Sequence, residues 1–243
     1  VKPVRVSNAT GLTGVVAVAA GAAHSVALDS RGVVWTWGDN SRGQLGNSTG
    51  APSPLPVALS PQPGLAGRVV GIAAGGQSTF ALTVSGEVWA WGDNLHGQLG
   101  DGSGTDQWAP VHVTGVVDVK QIAAGIEHTL ALDVRGRIWA WGRNDHGQVG
   151  NGATLRQLVP TELFIADPGR WFIDIAGGGI HSLCIEANGD ILAWGADSSG
   201  QLGNGAVTGD QPSPVPVSQA TGLARGVRLA AGALHSMALT AGG

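Results

Sequence analysis

VWAWGDNLHGQLGDG, residues 88–102, sets two tryptophans one residue apart before a glycine-rich polar run. Glycine, aspartate, asparagine and histidine in such a run fit a phosphate loop, a metal site or a turn. The rest of the chain decides between chemistry and architecture. VVWTWGDNSRGQLGN begins at Val33, IWAWGRNDHGQVGNG at Ile138 and ILAWGADSSGQLGNG at Ile191. The glycine after the second tryptophan position falls at Gly38, Gly92, Gly142 and Gly195, in steps of 54, 50 and 53 residues. A second phrase alternates with the first: VAAGAAHSVAL, IAAGGQSTFAL, IAAGIEHTLAL, IAGGGIHSLCI and LAAGALHSMAL, marked by Gly21, Gly75, Gly125, Gly178 and Gly232. A catalytic loop occurs once and a structural tile many times, so a period of this size reads as an array or propeller.

The 243 residues suffice for a sizeable core, and the unbroken repeat makes them one domain. Forty-one glycines without a three-residue period are not collagen but fit tight turns between short strands. Net charge is −4, and 13 Lys+Arg are spread without a basic run, which weakens a nucleic-acid role. A single cysteine, Cys184 in SLCIEA, allows no internal disulfide and reads as a small buried hydrophobe. No apolar run has the length of a membrane span, and VKPVRVSNATG does not read as a signal peptide, so the compartment stays undefined.

One tile, from Val69, contains four strand-like runs: VVGIAAG, STFALTV, VWAWGDN and WAPVHVTG. Gly, Ser, Asp and Asn separate them, and no segment has a helical period. The expected unit is a four-stranded antiparallel sheet. Gly32, Gly86, Gly136 and Gly189 sit where a hairpin turn needs positive φ. The small Ala-Ala-Gly strand is expected nearest the axis, where radial sheets crowd. Trp37, Trp91, Trp141 and Trp194 are expected to pack between adjacent blades. Asn40, Asn94, Asn144 and Asp197 suit left-handed backbone or bonds to nearby main chain. Gln44, Gln98, Gln148 and Gln201 are expected to tie the loop to a neighbouring strand through their amides.

These phrases resemble the repeat of the RCC1 (regulator of chromosome condensation) family, A-x-G-x-x-H-[ST]-x-A-L followed by G-x-[IV]-x-x-W-G-x-N-x-x-G-Q-L-G. The first part stands at Gly21 to Ser25, Gly125 to Thr129, Gly178 to Ser182 and Gly232 to Ser236, while Gln77-Ser78 departs from it in the second copy. The resemblance covers essentially the whole chain and implies an all-β propeller of four-stranded blades, usually seven. A WD40 propeller is the alternative fold. About five blades' worth of sequence is present, with repeats near 15–66, 69–115, 117–166, 172–223 and a partial one at 226–243. PVRV at the start matches the last strand of a tile, and SMALTAGG stops before a Trp-Gly strand. This count favours a piece of a longer propeller over a small ring, or over rings completed by self-association through open blade edges.

His24, His128, His181 and His235 occupy equivalent positions, as do His96 and His146 in the loops. Equivalent positions in a propeller lie a blade apart, so these imidazoles are expected to be structural hydrogen-bonding groups and not a metal ring. DGSGTD, residues 101–106, lacks the ordered acids and closing Glu of a calcium loop. Ser25, Ser182 and Ser236 follow histidines, but neighbours along a strand point to opposite faces, so no catalytic pair is expected. No cofactor, metal or catalytic residue is expected. The connections vary between tiles and carry off-pattern Trp108, Arg156, Phe164, Arg170 and Trp171. Loops on rigid scaffolds and Trp/Arg anchors commonly carry binding, so these five are the candidate partner contacts.

The functional expectation is a non-enzymatic scaffold presenting loops to a protein partner. The family includes a guanine nucleotide exchange factor for a small GTPase, a plant ultraviolet photoreceptor and a bacterial β-lactamase inhibitor. The exchange factor works through a β-wedge insertion, and no comparably long insertion occurs here. The photoreceptor uses a tryptophan cluster, whereas the tryptophans here are mostly those of the repeat. Exchange activity, a secreted inhibitor-type role and a purely structural module are the alternatives.

Overall fold

A computed structural model describes residues 6, 11–60, 62–65, 67–163, 169–205, 207, 209–217 and 225–242. The regular structure among them is β-strand throughout. Blade 1 holds β1 (Val15–Ala20), β2 (His24–Asp29), β3 (Val34–Gly38) and β4 (Ser53–Ala58); blade 2 holds β5 (Val69–Gly75), β6 (Ser78–Thr83), β7 (Val88–Gly92) and β8 (Gln107–His112). Blade 3 holds β9 (Val119–Ala124), β10 (His128–Asp133), β11 (Ile138–Gly142) and β12 (Gln157–Glu162); blade 4 holds β13 (Phe172–Gly177), β14 (His181–Glu186), β15 (Ile191–Gly195) and β16 (Gln211–Pro216). β17 (Gly226–Ala231) and β18 (Ser236–Thr240) form a two-stranded fifth sheet. Every sheet is an antiparallel meander in chain order. Pro3, Val4 and Arg5 of PVRV, Phe164 and residues 218–224 lie outside the described residues.

The blades pack side by side because the first strands β1, β5, β9, β13 and β17 touch in succession. This is the axial position anticipated for the Ala-Ala-Gly phrase. A Cβ on Gly75 would overlap the Gly125 carbonyl of the next blade, so no larger residue fits there without moving a strand. The turn glycines behave as their position requires, with φ of 77° at Gly86 and 71° at Gly136. The first strand of each blade carries a bulge near its start, as between Val69 and Gly71 or Phe172 and Asp174.

The core is divided between blade junctions and is not a single centre. Val26, Leu28 and Val34 of blade 1 meet Val69, Ala81 and Trp91 of blade 2. Phe80, Leu82 and Val88 then meet Val119, Ala131 and Trp141, and Leu130, Leu132 and Ile138 meet Phe172, Cys184 and Trp194. Alternate residues of one strand thus serve two different interfaces. Cys184 is fully buried, and that burial pushes its thiol well above the usual range, as expected of a core hydrophobe.

Candidate functional site

The repeated polar residues converge at the junctions between blades. Register places Thr79 opposite Trp91, Thr129 opposite Trp141 and Ser182 opposite Trp194. Both members of each pair reach the same carbonyl of the preceding blade. Gln44 O accepts Thr79 Oγ1 at 2.8 Å and Trp91 Nε1 at 3.0 Å. Gln98 O accepts Thr129 Oγ1 and Trp141 Nε1, each at 2.8 Å, and Gln148 O accepts Ser182 Oγ at 2.8 Å and Trp194 Nε1 at 2.9 Å. The glutamine therefore ties blades together by its main chain, not by the side-chain amide that the sequence suggested. The amides serve the loop itself: Gln98 Oε1 accepts His96 N, and its Nε2 donates to Asp93 Oδ2.

A histidine completes the latch. His24 Nε2 lies 2.9 Å from Thr79 Oγ1, His128 Nε2 2.8 Å from Ser182 Oγ, and His181 Nε2 2.9 Å from Ser236 Oγ. Each hydroxyl spends its one proton on a glutamine carbonyl, so it must accept from the imidazole. Each ring is therefore the neutral Nε2–H tautomer. Its Nδ1 is buried with no hydrogen-bond partner, and a proton there would have no acceptor. Burial lowers the pKa of His24 to about 4, of His128 to about 3 and of His181 to about 4. In blade 2 the histidine position holds Ser78, which instead donates to Asp93 O, so the junction to blade 3 has no imidazole. His24, His128 and His181 face three different junctions, and the described residues contain no cluster of three or more metal-ligating side chains.

The asparagines anchor the long loops, and not through left-handed backbone, since among the described residues the positive-φ residues other than glycine are Ser48 and Asp118. Asn94 Oδ1 accepts Leu99 N, while its Nδ2 donates to Asp101 Oδ1 and to the carbonyls of Ser103 and Thr105. Gln107, Ser103 and Arg42 take up the carboxylates of Asp101 and Asp106. Asn94→Ala leaves buried loop groups unpaired, and a loss of about 2–3 kcal/mol is expected in denaturant unfolding.

The five candidate contacts do not form one patch. The third-to-fourth strand loops lie at one rim, and the hairpin turns and blade-to-blade connections at the other. Trp108 stands in β8 and not in a loop, 40% exposed, over Gly43 and Gly50 of the blade 1 loop. Leu158 and Pro212 cover Gly97 and Gly147 in the same way in later blades, so Trp108 also fills a repeated packing position. Arg156, on the same rim, donates to Leu95 O at 3.1 Å. Trp171 is 47% exposed on the opposite rim, stacked on the Gly136 turn with Lys120 Nζ 5.6 Å from its ring centre. Arg170 pairs with Glu186 at 3.4 Å beside it. Phe164 lies outside the described residues.

Asp174 was not singled out by sequence reasoning. It accepts Gln121 Nε2 from blade 3 at 2.7 Å and Leu229 N from blade 5 at 2.8 Å, with Arg228 3.9 Å away. A polar residue inside the otherwise apolar phrases VKQIAAG, FIDIAG and VRLAAG was the available signal.

Trp37 is half-buried and has no carbonyl acceptor among the described residues, whereas Trp91, Trp141 and Trp194 are fully buried. His235 is exposed.

Known proteins share this tile. Ultraviolet-B receptor UVR8 of Arabidopsis thaliana is 35% identical over 194 residues, 79% of this chain and 43% of that protein. The chain thus spans less than half the length of this curated relative. The crystal structure of human WBSCR16 matches with a TM-score of 0.82 and 28% identity, covering 93% of this chain and 57% of that one. Prp20p of Saccharomyces cerevisiae, whose structure was described with its binding properties to Gsp1p and histones, matches with a TM-score of 0.78 and 27% identity over 92% of this chain and 55% of that one. The model of the RCC1-like domain matches residues 1–243, and with the blade meander and its Trp–Gln latches this makes the chain a member of the RCC1-like domain family.

Proposed function

We propose that the chain is a non-enzymatic protein-interaction scaffold. The observation that carries this reading is the division of labour among its polar residues. Histidines, hydroxyls and tryptophans of the repeat are spent on the junctions, and the one thiol is buried. What differs from blade to blade stands on the two rims of a framework held rigid by those junctions. Trp171 with Lys120 is an aromatic–cation surface on one rim, and Trp108 is the exposed indole at the other, residue types enriched at binding hot spots. Prp20p, with its binding properties to Gsp1p and histones, is a relative consistent with such use.

Affinity capture with the native chain, with Trp171→Ser and with Trp108→Ser tests the reading. A partner retained by the native chain and lost from one folded variant supports the scaffold and names the rim. A partner held equally by all three would remove both rims. Stimulated nucleotide release from a small GTPase would replace the non-enzymatic reading with exchange activity.

A further inference from the structure

The segments that build the two rims differ in charge. The four loops between third and fourth strands carry seven acids against three arginines. That excess of four anions equals the net charge of the whole chain, −4. The hairpin turns between second and third strands and the blade-to-blade connections carry six arginines against four acids. Two of the three loop arginines are already paired, Arg42 with Asp106 at 3.1 Å and Arg143 with Glu127 and Asp145, each at 2.6 Å. Asp39 and Asp101 are held by amides and hydroxyls instead of cations. Asp197 is buried, and its Oδ2 has no hydrogen-bond partner among the described residues. Burial, and after it the charge of Asp106, raise the Asp93 carboxyl above its usual range. The loop rim is therefore an anionic surface whose own cations do not neutralise it.

The chemistry of that rim changes along three successive junctions. Arg42, His96 and His146 hold equivalent places in the repeat, as do Asp106, Arg156 and Asp210. Between blades 1 and 2, Arg42 meets Asp106 beside the exposed ring of Trp108. Between blades 2 and 3, Arg156 is spent on the Leu95 carbonyl at 3.1 Å, and the side chains of Leu95 and Leu155 stand 54% and 76% exposed. Between blades 3 and 4, His146 Nδ1 lies 2.8 Å from Asp210 Oδ2, with the exposed Asp145 next to His146 in sequence. The order is acidic, aliphatic, acidic.

We propose that the loop rim binds a basic segment of a protein partner, extended across these three junctions, with cations at both ends and aliphatic residues between. One end faces Asp106 and the Trp108 ring, and the other faces Asp145 and Asp210. The central residues cover Leu95 and Leu155. An acidic segment or a nucleic acid meets like charge at this rim. Sheets packed about 10 Å apart put the outer two junctions at least about 20 Å from one another, within reach of nine extended residues at about 3.3 Å each. The inference rests on the scaffold reading and names the chemistry of the partner at the Trp108 rim.

The probe is fluorescently labelled KKGLVLGKK, followed by anisotropy against the full chain at low salt. Saturable binding that weakens as salt is added is expected. Replacing LVL by SSS is expected to weaken it at least about threefold, and the acidic EEGLVLGEE is expected not to bind. Asp145→Asn with Asp210→Asn is expected to weaken KKGLVLGKK at least about fivefold. Glu87→Gln with Glu162→Gln removes the same charge from the opposite rim and is expected to change binding by less than about twofold. Circular dichroism checks the fold of both double variants. The peptide comparisons use the native chain and stand whatever the variants do to folding. No saturable binding, equal binding of the acidic peptide, or equal weakening by the two double variants overturns the proposal. The last outcome would assign the affinity to net charge and not to this rim. A captured partner that is lost from Trp108→Ser, in a chain that does not bind KKGLVLGKK, would leave the scaffold reading standing and remove this inference alone.

Discussion

Replacing Trp141 by alanine lowers the unfolding free energy by about 3–5 kcal/mol, while Trp37→Ala costs less than half as much. The two residues hold the same place in the repeat. Trp141 is fully buried against Phe80, Leu82, Val88 and Leu99, and its indole N–H reaches the carbonyl of Gln98 at 2.8 Å. Its removal opens a cavity at a junction and strips one of two donors from that carbonyl. Trp37 is only half-buried, packed against Leu12, Ala27 and Trp35, so its truncation removes less buried surface. Urea or guanidinium unfolding of both variants checks the contrast. Equal losses would refute the junction as the source of the difference, because propensity and local strand packing are alike at the two positions.

Acidification is expected to unfold the domain between pH 6 and pH 4, with the latch histidines as the main cause. Folding depresses the pKa of each from the ordinary 6.5 to about 4 for His24 and His181 and to about 3 for His128. The neutral ring is the one the fold accepts. Its contribution is therefore intact above pH 6.5 and is lost as pH falls towards the folded values. Each histidine gives a slope of about 1.4 kcal/mol per pH unit in that window, and the three together about 4. A drop of two units then removes a large share of a stability of about 5–15 kcal/mol. Asp39 beside His24 and Asp197 beside His181 oppose the shift, while the neighbouring His181 adds to it at His128. Carboxylates whose pKa is already held low, such as Asp29 at about 2, lose their contribution at lower pH and do not account for this window. Stability measured by denaturant at pH 7, 6 and 5 gives the slope, and His128→Gln is expected to reduce it by about a third. An unchanged slope would place the acid sensitivity elsewhere.

The blade was legible because its two periods are local. Short apolar runs bounded by Gly, Ser, Asp and Asn mark the strands, and turn glycines at Gly32, Gly86, Gly136 and Gly189 mark the hairpins. The repeat of about fifty residues then fixed the architecture, since a tile with two apolar faces can only bury them against copies of itself. The sequence also placed Trp91, Trp141 and Trp194 between blades, while Trp37, at the same place in the repeat, packs within its own blade among the described residues.

The partners across each junction had to come from the tertiary structure. Gln44 and Trp91 are 47 residues apart, and which atom of the glutamine meets the indole depends on how two blades stack. Nothing in the residue type distinguishes a main-chain carbonyl from the side-chain amide beside it. The same limit hid Asp174, whose partners lie one blade away on either side. It also made Trp108 and Trp171 look like one group, although the antiparallel course of the strands carries them to opposite rims. Spacing along the chain determines which way a side chain leaves its strand. What it meets there is set by the neighbouring blade, as the glutamine carbonyls that receive Trp91, Trp141 and Trp194 show.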